Sequence, residues 1–498
     1  MSEVRITVDP AFHVGAVDPR LYGSFVEHLG RCVYTGIYEP EHPTADEYGF
    51  RADVAGLTRE LGVPIIRYPG GNFVSGYRWE DGIGPAGQRP ARLELAWRSL
   101  EPNAVGTDEF CAWARRTGTE PMLAVNLGTR GPDAAAELVE YCNHPGGTYW
   151  SDLRAKNGAT EPHDVRVWCL GNEMDGPWQI GHKTAQEYGR IATETAKAMR
   201  LVDPSIELVA CGSSHAAMPS FGDWEATVLG HCYDQVDYVS LHSYYQERGG
   251  DLGSFLASAA DMDSFIEAVI STVDHVRAKG RHKKRVHLSF DEWNVWRTQG
   301  QQADGDWERA PRLIEDEYTL ADAVVVGNLL ISLLRHADRV HMACQAQLVN
   351  AIGLIRSEPG GPAWRQTIFH PFALTSRHGR GTVLRTPVLA PEYDTQVFGA
   401  VPKVDAVAVL SAGADELTVF AVNRDQHAQA PVEIDVRSLP ALRVARHTYI
   451  GDDDPAAANT QDTPDRIVPR TAADAPVDGG MLRVALPPLS WNMLRIAP

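Results

Sequence analysis

The chain has 498 residues, enough for about two to four domains, and is 44 % hydrophobic and 22 % charged, the balance of a soluble globular protein with a large core. Its formal charge of −19 argues against a nucleic-acid partner, which would need Lys and Arg on its phosphates, and disfavours acidic polymers as substrates. A neutral small molecule or neutral glycan fits best.

The first residues, Met1-Ser-Glu-Val-Arg-Ile-Thr-Val-Asp-Pro10, carry neither a basic stretch nor an apolar signal core. No apolar run approaches the roughly 18 residues that a membrane span needs, so the chain is expected to be cytoplasmic, with no membrane partner. Seven cysteines (32, 111, 142, 169, 211, 232 and 344) stand singly, several of them in apolar runs, and read as buried thiols.

Residues 4–8 alternate apolar and polar and predict an edge strand ahead of the main fold. Eight short β-like runs follow, at 21–26, 63–68, 121–126, 165–170, 207–211, 236–242, 286–290 and 339–343. Helical patterns such as 185–201 and 262–279 lie between them. Alternation of strand and helix implies parallel strands with right-handed crossovers, and eight such units predict a closed (β/α)8 barrel of the TIM type over residues 15–380. An open dinucleotide-binding sheet would want Gly-x-Gly-x-x-Gly after its first strand. The pair Gly82 and Gly84 lacks the third glycine.

Near residue 382 helical periodicity stops. Short alternating runs at 406–410, 417–422, 432–436, 443–449, 481–485 and 491–496 predict an all-β, jelly-roll-like sandwich over 381–498, joined by residues 1–14. The basic run 279–285 reads as a solvated helix end.

Polar and aromatic residues crowd the C-terminal ends of the barrel runs: Glu27, Asn72, Asn126, Asn172 with Glu173, His242 with Tyr244, Glu292, and Gln347. That rim is where barrel enzymes keep their chemistry. Two carboxylates delivered there, Glu173 in Trp168-Cys-Leu-Gly-Asn-Glu173 and Glu292 in Leu288-Ser-Phe-Asp-Glu-Trp-Asn294, are the minimum apparatus for cleaving a glycosidic bond. Gly171 would let the chain turn sharply before Asn172, and Asp291, Glu292 and Asn294 would be costly to bury without a role. Blander readings stand beside these. Glu173 could belong to a helix-capping pair, and Glu292 or Glu27 (next to His28) to an interior ion pair. Asn72 could be a turn residue, and Tyr244, Trp97 and Trp296 core aromatics. His242 reads as a support for Glu292 or for the barrel rather than a metal ligand, since no second ligand stands at metal-site spacing.

Four longer stretches narrow the reading: Phe25-Val-Glu-His-Leu-Gly-Arg-Cys-Val-Tyr-Thr-Gly-Ile-Tyr38, Arg67-Tyr-Pro-Gly-Gly-Asn-Phe73, Gly171-Asn-Glu-Met-Asp-Gly-Pro-Trp-Gln-Ile-Gly-His182 and Phe290-Asp-Glu-Trp-Asn-Val-Trp296. In this order and spacing they resemble the intracellular α-L-arabinofuranosidases of glycoside hydrolase family 51, within the clan of retaining barrel glycosidases. The resemblance runs to the closing Leu486-Pro-Pro-Leu-Ser-Trp-Asn-Met-Leu-Arg495, while loops 248–253 and 297–306 are less recognisable. It implies Glu173 as general acid/base and Glu292 as nucleophile. It further implies that Glu27, Asn72, Asn172, Tyr244 and Gln347 hold the hydroxyls of a terminal arabinofuranosyl unit between Trp97 and Trp296, with Arg67 and His242 in support. The expected activity is exo-acting release of α-L-arabinofuranose from arabinose-containing oligosaccharides, without cofactor or metal, by a homo-oligomer of hexameric type. A glucanase or xylosidase of the same clan, and a catalytically silent glycan-binding protein, are the competing readings.

Overall fold

The computed structural model describes residues 4–298 and 307–498. Part of the 297–306 loop therefore lies outside the described residues. Eight parallel strands close a barrel in sequence order: β1 Gly23–Phe25, β2 Ile65–Tyr68, β3 Glu120–Val125, β4 Val167–Leu170, β5 Glu207–Ala210, β6 Tyr238–Tyr245, β7 His287–Val295 and β8 Val340–Gln345. Each predicted run overlaps one of them. β6 and β7 continue past the predicted ends at 242 and 290, so Tyr244 and Glu292 lie on strands rather than in the loops after them.

The extension of β7 carries an irregularity. Ser289 pairs with Ser240 but Glu292 with His242, so β7 holds one residue more than β6 over this stretch, and the register against β8 also slips between Phe290 and Trp293. Side chains of a regular strand alternate between faces, and a bulge breaks the alternation. Asp291 and Glu292, adjacent in sequence, both reach residues across the barrel interior as a result: Cys169 on β4 and Arg67 on β2 respectively.

The helices begin where their caps predict. Thr184 accepts from the Glu187 backbone and Glu187 Oε2 accepts from the Thr184 N–H, a reciprocal cap that starts the helix Ala185–Val202. Thr319 and Asp322 do the same for Leu320–Arg335. At the N-terminal end of the barrel Arg20 binds both Glu120 and Glu207, the latter also accepting from Tyr238, a network that ties β3, β5 and β6 together away from the rim.

The second layer is a β-sandwich-like assembly. Val4–Thr7 pairs parallel with Ala430–Asp435, and His13–Ala16 pairs with Thr382–Leu384, so both N-terminal strands belong to it. Alternation within its strands sorts side chains between two cores. Val419 and Ala421 face the sandwich interior, while Phe420 and Val422 face the barrel side. The helix Leu320–Arg335 is buried from Leu320 to Leu334 because the barrel covers one side and the sandwich the other. Its Gly327 lies against the Trp491 indole, where a Cβ would come within 2.1 Å of Cδ1. Gly327→Val should therefore force the two layers apart, with a loss of about 1–3 kcal/mol read as a lower thermal midpoint.

A hairpin, Glu392–Thr395 with Gly399–Pro402, leaves the sandwich and reaches the barrel rim. It is anchored by Tyr393 Oη donating to the Gly253 carbonyl and by Gln396 N–H donating to Ser254 Oγ. Its tip, Val397 and Phe398, walls the cavity described next.

Candidate active site

At the C-terminal rim lies an open cavity of about 1370 Å³. Among the residues lining it are Glu27, Asn72, Trp97, Glu173, Tyr244, Glu292, Trp296 and Gln347. Arg67, Asn172 and His242 are buried against this group and touch it from below. Asn126 is elsewhere: its amide is spent within a loop, on Tyr77, Thr129 and Gly128.

Glu173 lies three residues past the end of β4 in an unusual backbone. Gly171 has φ +90° and Glu173 itself φ +42°, a left-handed conformation that costs a non-glycine residue about 1 kcal/mol or more. The turn throws the carboxyl over the barrel mouth. There Trp178 Nε1 donates to Oε2 at 2.6 Å, and His242 Nδ1 lies 3.0 Å from Oε1. Burial raises the Glu173 pKa, the His242 hydrogen bond opposes this, and the negative Glu292 adds to the rise.

Glu292 is held at both oxygens. Arg67 Nη1 donates to Oε1 at 2.6 Å and Tyr244 Oη to Oε2 at 2.9 Å. The second terminal nitrogen of Arg67, Nη2, donates to Asn172 Oδ1 at 2.7 Å, and Asn172 Nδ2 turns toward Gln179. One guanidinium thus fixes the nucleophile candidate relative to the residue preceding Glu173. Glu173 caps no helix among the described residues, whereas Glu292 does form an interior ion pair, with Arg67; both glutamates also line the cavity.

Glu27 does not pair with its neighbour His28, which binds Glu101 and Tyr68 instead. Its carboxylate accepts from the Phe73 N–H, Trp97 Nε1 and Gln347 Nε2. Burial, with Glu292 and Glu94 adding repulsion against these donors, pushes its pKa up to about 8. Gly71 passes so close that a Cβ there would sit 2.7 Å from Glu27 Oε2, the reason a glycine precedes Asn72. Asn72 opens a short 3-10 turn and presents its amide to the cavity with no partner among the described residues. Tyr244 Oη donates to Glu292 and Tyr245 Oη to Asp261, and both tyrosines line the cavity.

One oxygen each from Glu173 and Glu292 and one ring nitrogen of His242 lie within 4.8 Å of one another. Sequence spacing showed no second ligand near His242, whereas the fold brings two. The group is nonetheless occupied by hydrogen bonds, and Arg67 already supplies the positive charge opposite Glu292. His242 is itself drawn toward the imidazolium form. Burial alone would lower its pKa, but Glu292, Asp291 and Glu173 outweigh burial and raise it to about 10.

Residues 57–265 match the family described as α-L-arabinofuranosidase 1 domain, and residues 291–490 the α-L-arabinofuranosidase C-terminal domain. An intracellular exo-α-(1→5)-L-arabinofuranosidase of Streptomyces lividans is 58 % identical over 100 % of this chain and 76 % of its own length. The chain belongs to the family 51 α-L-arabinofuranosidases. An exo-α-(1→6)-L-arabinofuranosidase of Bifidobacterium longum is 50 % identical over 100 % of this chain and 98 % of its own. A solved family 51 α-L-arabinofuranosidase from Bifidobacterium longum superposes with a TM-score of 0.96 at 47 % identity, covering 100 % of both chains.

Several residues of this family 51 site escaped the sequence reading. Trp178 is 46 % exposed and lies five residues after Glu173 in an irregular loop, so no periodicity marks it. Gln179 and Ser75 brace Asn172 from behind. Asp291 stood out only as a neighbour of Glu292, and its separate contact with His242 depends on the bulge.

Proposed function

We propose that this protein releases terminal α-L-arabinofuranosyl units from short oligosaccharides by double displacement, with Glu292 as nucleophile and Glu173 as acid and then base. The observation that carries the reading is the approach of the two carboxylates to within 4.8 Å. Retaining glycosidases hold their carboxyl groups about 5–5.5 Å apart, whereas inverting ones leave about 6.5–9.5 Å for a water.

Glu292, held in place by Arg67 and Tyr244, attacks the anomeric carbon while Glu173 passes its proton to the departing oxygen. The C–O bond to the aglycone breaks as the ester to Glu292 forms. Glycosylation removes the negative charge that helped raise the Glu173 pKa, so Glu173 can then take a proton from water as that water displaces Glu292. Glu27 with Gln347, and Asn72, would bind sugar hydroxyls, with Trp97 and Trp296 as walls. Asn172 would act from the floor through Arg67.

The barrel over 15–380 is proposed as the catalytic unit and residues 1–14 with 381–498 as the supporting one. For linkage we favour α-(1→5), the name carried by the relative at 58 % identity rather than the α-(1→6) of the relative at 50 %. An intracellular setting is favoured by the first relative's name, and no helix among the described residues is long and apolar enough to cross a membrane. A homo-oligomer, hexameric by resemblance, is part of the same proposal.

The test is a panel of aryl α-L-arabinofuranoside, aryl β-xyloside and cellulose, with the first-formed product anomer followed by NMR. Turnover of the arabinofuranoside alone, giving the α anomer first, is expected. Preference for the xyloside or cellulose would move the protein to the competing same-clan activity, and the β anomer first would exclude double displacement.

A further inference from the structure

His242 stands between three carboxylates. Its Nδ1 lies 3.0 Å from Glu173 Oε1 and 3.7 Å from Glu292 Oε2, and its Nε2 lies 2.9 Å from Asp291 Oδ1. Asp291 is 1 % exposed and faces no part of the cavity wall. Its other oxygen takes Ser289 Oγ at 3.1 Å and lies 3.9 Å from Cys169 Sγ.

The protonation pattern follows from these contacts. Burial works against an ionised Asp291, but Arg67 and His242 more than offset it, and its carboxyl lies below the usual range. An ionised carboxylate can only accept, so Nε2 must carry a hydrogen and donate it. That leaves Nδ1 as the atom facing Glu173. A single proton between Nδ1 and Oε1 can then sit on either side: on the glutamate when an acid is needed, on the imidazole when a carboxylate is needed. Trp178 Nε1 keeps Oε2 satisfied in either case.

We propose that Asp291 is a positioning residue that fixes the His242 tautomer and so holds on the Glu173–His242 pair the one proton that catalysis requires. The inference rests on the reading of Glu173 as acid/base. The charged and titratable groups that bear on the pair include Glu292, Asp291, Arg67 and the Cys169, Cys211 and Cys344 thiols around Asp291, with Tyr244 on Glu292. Of these, Asp291 is the carboxylate bound to the far side of the imidazole from the cavity. Removing its negative charge makes the shared proton easier to lose.

The experiment is the pH dependence of kcat/KM for Asp291→Asn on an arabinofuranosyl disaccharide, whose poor leaving group demands the acid. The alkaline limb should move to lower pH by about one unit or more, the scale of an opposite charge at this distance, while thermal unfolding confirms a folded protein. A purely structural Asp291 would lower kcat at every pH and leave the limb where it is; that result would overturn the inference. Should Asp291→Asn not fold, ring ¹⁵N NMR of the wild type, with His242 signals identified by their loss in His242→Gln, replaces it. Nε2 protonated from pH 5 to 9 supports the assignment, and an unprotonated Nε2 at pH 7 refutes it. Failure of the acid/base reading itself is separable, because it appears in Glu173→Ala, whatever Asp291 does.

Discussion

Replacing Glu292 by alanine should reduce kcat on every arabinofuranoside by at least about 10⁴-fold, since the double displacement has no second group placed to form the glycosyl ester. Tyr244 and Arg67 hold Glu292 and would remain, but neither a neutral phenol nor a guanidinium can attack the anomeric carbon. The substitution also leaves the Arg67 guanidinium buried without its anion. Breaking a buried pair from one side costs about 3–5 kcal/mol, so a lower thermal midpoint should accompany the lost activity. The two effects are separated by adding azide or formate. A small anion seated beside Arg67 should restore stability and, with an activated aryl substrate, produce an arabinosyl adduct of inverted configuration. Substantial hydrolysis by the folded variant without added anion would remove Glu292 from the nucleophile's role.

The second large effect concerns Glu173 and divides by leaving group. Glu173→Ala should glycosylate rapidly with a good aryl leaving group, which departs without a proton, and should then stall as the covalent intermediate because no base activates water. A burst of aryl alcohol followed by slow turnover is the expected trace. Azide, which needs no deprotonation, should raise the steady-state rate and give a product of retained configuration. On natural oligosaccharides the loss should be about 10²–10⁴-fold, the usual contribution of a positioned acid. The alkaline limb of the pH profile should vanish along with the residue that titrates. Normal turnover of oligosaccharides by this variant would leave His242 or Glu292 to carry the proton, a role that the 3.0 Å contact of His242 with Glu173 does not by itself provide.

The hairpin tip at Val397 and Phe398 brings the second layer into the cavity wall, although its strands read from sequence as nothing more than part of an all-β stretch. The same limit applies to Trp178. A donor to the acid/base residue that sits in a turn, half exposed, carries no periodic signal and becomes visible only when the loop folds back over Glu173. Glu27 shows the opposite case: its place at a strand end was legible, but its partners were not. His28, the adjacent residue in the chain, turns away to Glu101, and Trp97, 70 positions later, takes its place.

Local patterns determined the order of eight strands, the switch to alternating β-structure near residue 382 and the delivery of Glu173 and Glu292 to one rim, because hydrophobic periodicity and polar strand ends are written residue by residue. Only the tertiary structure decided which atoms meet. The bulge in β7 turns Asp291 and Glu292 into the same interior, closure of the barrel sets Arg67 of β2 against Glu292 of β7, and His242 comes to bridge Asp291 and Glu173. Such contacts join residues from 49 to 225 positions apart, and their geometry depends on strand register and barrel closure, which no local window of sequence contains.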